Sequence, residues 1–498
     1  MNISLFRVAT IVSRIFKQIR RDRRTIGLMI IGPILLTFLF AYAFAGEIKH
    51  VPIAIANDDL EFDIVFGDEI VSEMKLNESF TLKEANSITV AVDDLGVTTQ
   101  AVIYFDEKFT QNIVTGKNVT LKVWINVSYE YFSPKISNFV SQSVSNVIER
   151  YFGKSGISFD FNVTIQQTTP IPPWISETII NVTVVNNDKG YNISIGDKIL
   201  DKLLHDDNVS VSLVQSRSES RESVEKEESI IGIWIPQNFT RNIFLRNESK
   251  IEVFINGVER DELAVALQAI TNAIADSLSE ITNKTTYSME KEYIYGSEES
   301  AMIDFIGPSV MGFISMFFAL IISGIFFLRE RHFGTIERVL STMTRPSEII
   351  MGYLIAFIIV AVIQSSLVIL TMLFFSTNIL KNLILIYIMV LLLAMGSVSI
   401  GIFISSYMRT ELQVIQMIPI YIIPQLFLSG MIFSLRLLPE IFVPIAYVLP
   451  LTYYVSAVKK LVFMSATFLD IQLEFTILTA YFMLGLLLSI GKFRKTVE

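Results

Sequence analysis

Cysteine is absent from the 498 residues, so neither a disulfide nor a thiolate site is available to this chain. Histidine is almost absent: His50, His205 and His332 are all there is, and neither His-Glu-x-x-His nor Gly-x-Ser-x-Gly occurs. The usual signatures of metal-dependent and serine hydrolases are therefore missing. Gly-x-x-x-x-Gly-Lys-Ser/Thr is missing too, its nearest fragment, Gly153-Lys154-Ser155, having Ile148 where the first glycine must stand. We expect no catalytic residue, metal ligand or cofactor in this chain, and no enzyme activity of its own.

What is present is apolar. Mean hydropathy is +0.51, too high for an ordinary soluble protein, yet the middle half is polar. The net charge of −9 conceals a division: residues 47–300 hold 39 of the 49 acids and 21 of the 40 bases, so the remainder is basic. An acidic domain outside and a basic membrane part facing in is the pattern of the positive-inside rule. The overall pI of 5.2 says nothing about partners, and no nucleic acid is expected.

Residues 4–20 place Leu5, Val8, Ala9, Val12, Ile15, Phe16 and Ile19 on one stripe and Arg7, Arg14, Lys17 and Arg21 on the other, which predicts a helix (1–24) lying on membrane lipid. The apolar run from Ile26 to Ala45 then fits one helical span within 25–46. Ala43-Phe44-Ala45 resembles a signal-peptide cleavage site, but the run exceeds a normal signal core, so an uncleaved span is expected. Seven Lys/Arg before it put the N-terminus in the cytoplasm.

Residues 47–300 follow outside and contain an internal repeat, about 50–152 and 178–282. Val102–Ile113 reappears as Gly232–Ile243, sharing Phe-Thr-x-Asn-Ile at an offset of 130, and Gly67-Asp68-Glu69-Ile70 matches Gly196-Asp197-Lys198-Ile199 at 129. Each copy reads as strands at 51–57 or 180–186, at 101–105 or 231–235 and at 120–126 or 250–256, with intervening helices and a longer final one (135–152; 261–281). A duplicated α/β extracellular domain is expected. The Ser/Glu/Arg/Lys run at 215–229 reads as a mobile loop. Ten Asn-x-Ser/Thr sequons fall here, at Asn77, Asn118, Asn126, Asn162, Asn181, Asn192, Asn208, Asn238, Asn247 and Asn283, predicting a glycosylated surface; with no cysteine this points to an archaeal cell.

Apolar spans resume at about 303–328, 349–375, 383–406, 412–433 and 472–491, six with the first, so both termini are expected inside. Residues 434–470, broken by Pro439, Pro444 and Pro450, predict short helices re-entering the outer leaflet. The one polar island, 329–348, sets Ile336, Val339, Leu340 and Met343 at i, i+3, i+4 and i+7, predicting an amphipathic helix of about three turns, after which Ser347 caps the next. Polar residues inside the spans, Gln364, Ser365 and Ser366, then Gln413, Gln416 and Gln425, with Ser429 beyond, are candidates for a pathway or for helix–helix hydrogen bonds.

Arg329-Glu-Arg-His-Phe-Gly-Thr-Ile-Glu-Arg-Val-Leu340 resembles the connector of ABC-2 type transporter permeases. Phe427-Leu-Ser-Gly-Met-Ile-Phe433, Leu438-Pro439 and Leu449-Pro-Leu-Thr-Tyr-Tyr454 resemble that family's last outer loop, although Ser434 replaces its usual proline. The resemblance implies a six-span, mainly α-helical type V exporter-like fold and a permease subunit working as a homodimer or heterodimer. It also implies a separate cytoplasmic ABC ATPase that carries ATP and magnesium. Arg331, Gly334, Ile336, Glu337, Arg338, Val339 and Leu340 then look like the ATPase-coupling helix. Because ionisable residues stand only at the span ends (Asp304, Glu411), an amphipathic or apolar cargo is expected rather than a proton or metal ion. The competing reading is a surface adhesion or receptor-like protein, which would need only one of the spans.

Overall fold

A computed structural model describes residues 4–45, 51–59, 66–75, 80–85, 87–93, 99, 101–114, 122–125, parts of 139–151, 180–188, 194–206, 208–245, 249–279, 287–296, 302–342 and 344–497. The chain divides into two compact units: Met1–Gly46, Asn256–Asp261 and Tyr293–Glu498 form one, Glu47–Ile255 and Glu262–Glu292 the other. The first opens with α1 (Leu5–Arg21) and α2 (Arg23–Ala45). On α1 the buried stripe is Val8, Ile11, Ile15 and Ile19, while Leu5 is 82% exposed, so the stripe is rotated from the one the pattern predicted. Pro33 interrupts α2 and lacks the N–H that would bond the carbonyl of Met29.

In the polar unit, β1 (Val51–Asn57), α3 (Phe66–Met74), β2 (Phe80–Ala85), α4 (Ile88–Asp93), β3 (Ala101–Phe105), α5 (Phe109–Val114) and β4 (Lys122–Ile125) build a sheet of order β2-β1-β3-β4. β5 (Ile180–Asn186), α6 (Ile195–Leu204), β6 (Val209–Leu213), α7 (Arg217–Glu225), β7 (Ile231–Ile235), α8 (Phe239–Phe244) and β8 (Ser249–Asn256) build a second, followed by α9 (Arg260–Ser279) and β9 (Tyr287–Tyr295). Its order is β6-β5-β7-β8-β9. Ile53 stands beside Ala101 in parallel register as Val182 stands beside Ile231, and β4 and β8 run antiparallel to β3 and β7. β3 and β7 are buried on both faces, hence their unbroken apolar runs.

The expected loop at 215–229 is instead mostly the helix α7. Ser216 caps it by accepting from the Glu219 N–H, and its packed face is made of Ser220, Ser223 and Val224. Serines do the work of apolar residues there because Gly232 leaves no room for more: a Cβ on it would lie 2.5 Å from Ser220 Oγ. The long helix expected at 135–152 falls largely outside the described residues, whereas the one expected at 261–281 is α9.

The first unit continues with α10 (Met302–His332), α11 (Thr335–Leu340), α12 (Pro346–Leu373), α13 (Leu383–Ser405), α14 (Glu411–Leu428), α15 (Val443–Ala446), α16 (Pro450–Phe463) and α17 (Gln472–Val497). Among the described residues five helices, α10, α12, α13 with the turn before it, α14 and α17, are long and apolar enough to cross a membrane. α10 is the centre of the bundle and α14 its least enclosed member, 83% against 22% buried. α10 and α13 approach until a Cβ on Gly401 would touch Ser323 Oγ and the Leu320 carbonyl, the small-residue packing that works where lipid supplies no hydrophobic drive. α14 stops five residues short of the expected 433, with Ser429 as its C-cap and Gly430 at φ +80°.

Candidate functional site

The polar island is not one helix. Arg329, Glu330, Arg331 and His332 form the last turn of α10, Gly334 reverses the chain at φ +65°, and α11 runs only from Thr335 to Leu340. Nothing between Leu328 and Gly334 breaks a helix, and cations in a last turn complement its dipole, so α10 simply runs on. The N-cap of α12 is Arg345 with Pro346 next, rather than Ser347.

Two buried carboxylates fix this apex to α1. Glu348, 1% exposed, accepts from the Arg345 N–H at 2.9 Å and from the Ser4 N–H at 2.9 Å, so one side chain sits at the N-termini of α12 and α1 together. Arg7 Nη1 adds an ion pair at 3.4 Å. One turn deeper, Glu330 Oε2 takes Arg14 Nη2 at 2.7 Å and the Tyr353 hydroxyl at 2.5 Å, and Arg14 also bonds that hydroxyl. Glu330 is 0% exposed. α1 lies close enough to α12 that a Cβ on Gly352 would meet Ile11 at 2.6 Å. The stripe of α1 is thus covered by protein where the pattern had placed lipid. Arg329 pairs with Glu411 at 2.8 and 3.0 Å, joining the ends of α10 and α14.

Of the coupling residues read from the sequence, Ile336 is 2% exposed and belongs to the bundle's own core, with Val339 and Leu340 packed beside it. The short α11 thus turns Ile336 back onto its own unit, while Val339 and Leu340 stay partly accessible. Arg331 is half-buried and donates to the Ser405 carbonyl at 2.9 Å. The side open to a partner is Phe333, 64% exposed, with Glu337, Arg338, Ser341 and Thr342. Arg338 folds over the turn, donating to the Phe333 carbonyl at 2.9 Å.

The pathway candidates separate. Gln364 is buried and gives its Nε2 to the Met29 carbonyl at 3.0 Å, the one that Pro33 leaves without a helical donor. Buried Gln425 accepts from the Leu451 N–H at 3.2 Å, in the first turn of α16. Both satisfy backbone groups that helix geometry strands. Ser365 and Ser429 are buried. Ser366 meets Tyr387 Oη at 3.0 Å, and Gln413 accepts from the Arg409 N–H at the start of α14. Gln416 is exposed on α14 in line with Leu412, Ile420, Ile423 and Phe427.

In the polar unit the crevice past the carboxyl ends of β1 and β3 is filled from within. Buried Asp59 accepts from the N–H groups of Gly67 at 3.2 Å and Thr110 at 3.0 Å, and buried Asp188 from those of Gly196 and Thr240, each at 3.1 Å. A ligand anion in a doubly wound sheet would sit there on the helix N-termini, but here an own carboxylate already does. Among the sequons, Asn181, Asn208 and Asn238 are described; Asn238 is exposed in a left-handed conformation at φ +71°, ahead of α8. Asn77, Asn118, Asn126, Asn162, Asn192, Asn247 and Asn283 lie outside the described residues. No group of three His, Asp or Glu able to hold a metal ion is found among the described residues.

The model of the ABC-2 family transporter protein matches residues 23–178 and 162–490. ABC transporter G family member 20 of Dictyostelium discoideum is 29% identical over 169 residues, 34% of this chain and only 23% of that protein's length. The probable multidrug ABC transporter permease YbhR of Escherichia coli K12 is 20% identical over 265 residues, 52% of this chain and 72% of its own. The inner membrane transport permease YhhJ of the same bacterium is 24% identical over 272 residues, 53% and 72%. With a family model covering most of the bundle and an apex built from the last turn of α10, Gly334 and α11, this multi-pass membrane chain belongs to the ABC-2 transporter family.

Proposed function

We propose that this chain is the membrane subunit of an ATP-driven exporter, with α2 as a sixth span, both termini cytoplasmic and residues 47–300 outside as a duplicated, glycosylated domain. The observation that carries the reading is the apex: a turn and short helix exposing Phe333, Glu337 and Arg338, tied by Glu348 and Glu330 to α1 and α12. A push on such an apex moves three helices together, as a lever for a cytoplasmic ATPase must. ATP and magnesium belong to that ATPase. The exposed line Leu412, Gln416, Ile420, Ile423 and Phe427 of α14, apolar but for Gln416, supports a second permease copy or a cargo path there, and amphipathic or apolar cargo suits it. Reconstitution with the ATPase tests this: Glu337→Ala should abolish transport-coupled hydrolysis while the membrane assembly stays intact. Full coupling in that variant would remove the assignment.

A further inference from the structure

Lys459 lies near the C-terminal end of α16, on the same face as Leu451, Val455 and Val462, which are buried. Its side chain is 15% exposed and its ammonium makes three contacts: 2.9 Å to each oxygen of Glu259 and 3.1 Å to the Gly430 carbonyl. Gly430, at φ +80°, is the residue just past the C-cap Ser429, so the bond holds the chain at the point where it leaves α14. Glu259 comes from Asn256–Asp261, which belongs to the same compact unit as the bundle. That segment is itself held: the Gly257 N–H bonds the Tyr295 carbonyl at 3.0 Å, and a Cβ on Gly257 would lie 2.8 Å from that oxygen. Meanwhile α16 is pinned to α10 by the Tyr454 hydroxyl on the Pro308 carbonyl at 2.7 Å.

Of the five long apolar helices α14 is the least enclosed by this chain, and Pro419 and Pro424 remove two of its internal hydrogen bonds. Its far end is fixed to α16 through Gln425–Leu451 and through Gly430–Lys459. The first is a bond between neutral groups; the second is charge-assisted and shared with Glu259. We propose that Glu259, Lys459 and the Gly430 carbonyl form a latch that positions the outer end of α14, the Glu259 carboxylate holding the ammonium against that carbonyl, and that the end loosens when Glu259 withdraws and leaves the ammonium free to turn away. Lys459 is thus a positioning residue of the passage, while Glu259 lets the Asn256–Asp261 segment decide when α14 shifts. This rests on the permease reading for its purpose, but the contact exists whatever the chain carries.

The absence of cysteine makes the test direct. In the full chain in lipid nanodiscs, Ile432→Cys and Phe468→Cys, at positions 44% and 43% exposed, take spin labels for a pulsed-resonance distance measurement. The parent pair should give one narrow distribution. Lys459→Met and Glu259→Gln should each add a second population displaced by about 2–5 Å, the range of helix shifts and single-turn ratchets, and Lys459→Arg should restore most of the first. If Lys459→Met does not fold, Glu259→Gln, which keeps the side chain's shape, decides. An unchanged distribution in Glu259→Gln overturns the latch. The measurement needs neither ATPase nor cargo, so a failure of the exporter reading would leave its outcome intact.

Discussion

Arg14→Met tests the anchoring of the apex most sharply. The substitution keeps the aliphatic stem and removes the guanidinium, leaving the 0%-exposed carboxylate of Glu330 with only the Tyr353 hydroxyl. Breaking a fully buried pair costs about 3–5 kcal/mol because the remaining charge stays buried. The Arg14 side chain is 30% exposed and the hydroxyl still donates, so we expect about 2–3 kcal/mol. At roughly 2–4 °C per kcal/mol for a unit of this size, thermal unfolding in detergent should fall by about 5–10 °C. Glu330→Gln added to Arg14→Met removes the stranded charge and should recover at least about 1 kcal/mol, a non-additivity that only contacting residues show. A single-variant shift below about 1 °C, or additive losses in the double variant, would refute the reasoning.

Glu348→Gln should loosen α1, since a carboxylate serving two N-terminal N–H groups is worth about 1.5–3 kcal/mol; faster trypsin cleavage after Arg7 or Arg14 would report it. Asp188→Ala leaves the Gly196 and Thr240 N–H groups without acceptors and should destabilise the second sheet by about 2–5 kcal/mol, followed by Trp234 fluorescence in denaturant. Glu73 is held below the ordinary carboxylate range, first by its hydrogen bond from Arg150 and then by that from Asn146. Its stabilisation is therefore complete above the unfolded carboxylate value and is lost as pH falls through the lower folded one; Glu73→Gln should flatten the acid limb of the polar unit's unfolding curve. Gly334→Ala should cost about 1 kcal/mol through its positive φ alone, because the nearest atom to an added Cβ is Glu337 Oε2 at 3.9 Å.

What the sequence shows best is whatever has a period. The apolar runs became α10, α12, α13, α14 and α17, and the strand patterns fell at Val51–Asn57, Ile180–Asn186 and Ile231–Ile235. What it hid depends on contacts distant in the chain. Helix α7 is polar because it packs its serines onto a glycine, so no apolar stripe announces it. Ile336 has the periodicity of a docking face, but periodicity does not say whether the chain itself or a partner covers that face. Gln364 reads as either a pathway residue or a helix–helix hydrogen-bonding one, and what decides is Pro33, more than three hundred positions earlier, which strands the Met29 carbonyl. Glu330 and Glu348 were visible within the island, yet Arg14, Tyr353 and Ser4 gave no local signal of pairing with them.

The account stands or falls on which side of the membrane α11 faces. Arg338→Cys, the sole thiol in an otherwise cysteine-free chain, should react with a membrane-impermeant maleimide in inverted vesicles and stay unlabelled in intact cells. Labelling in intact cells would put the apex outside, beyond reach of any cytoplasmic ATPase, and would contradict the central claim.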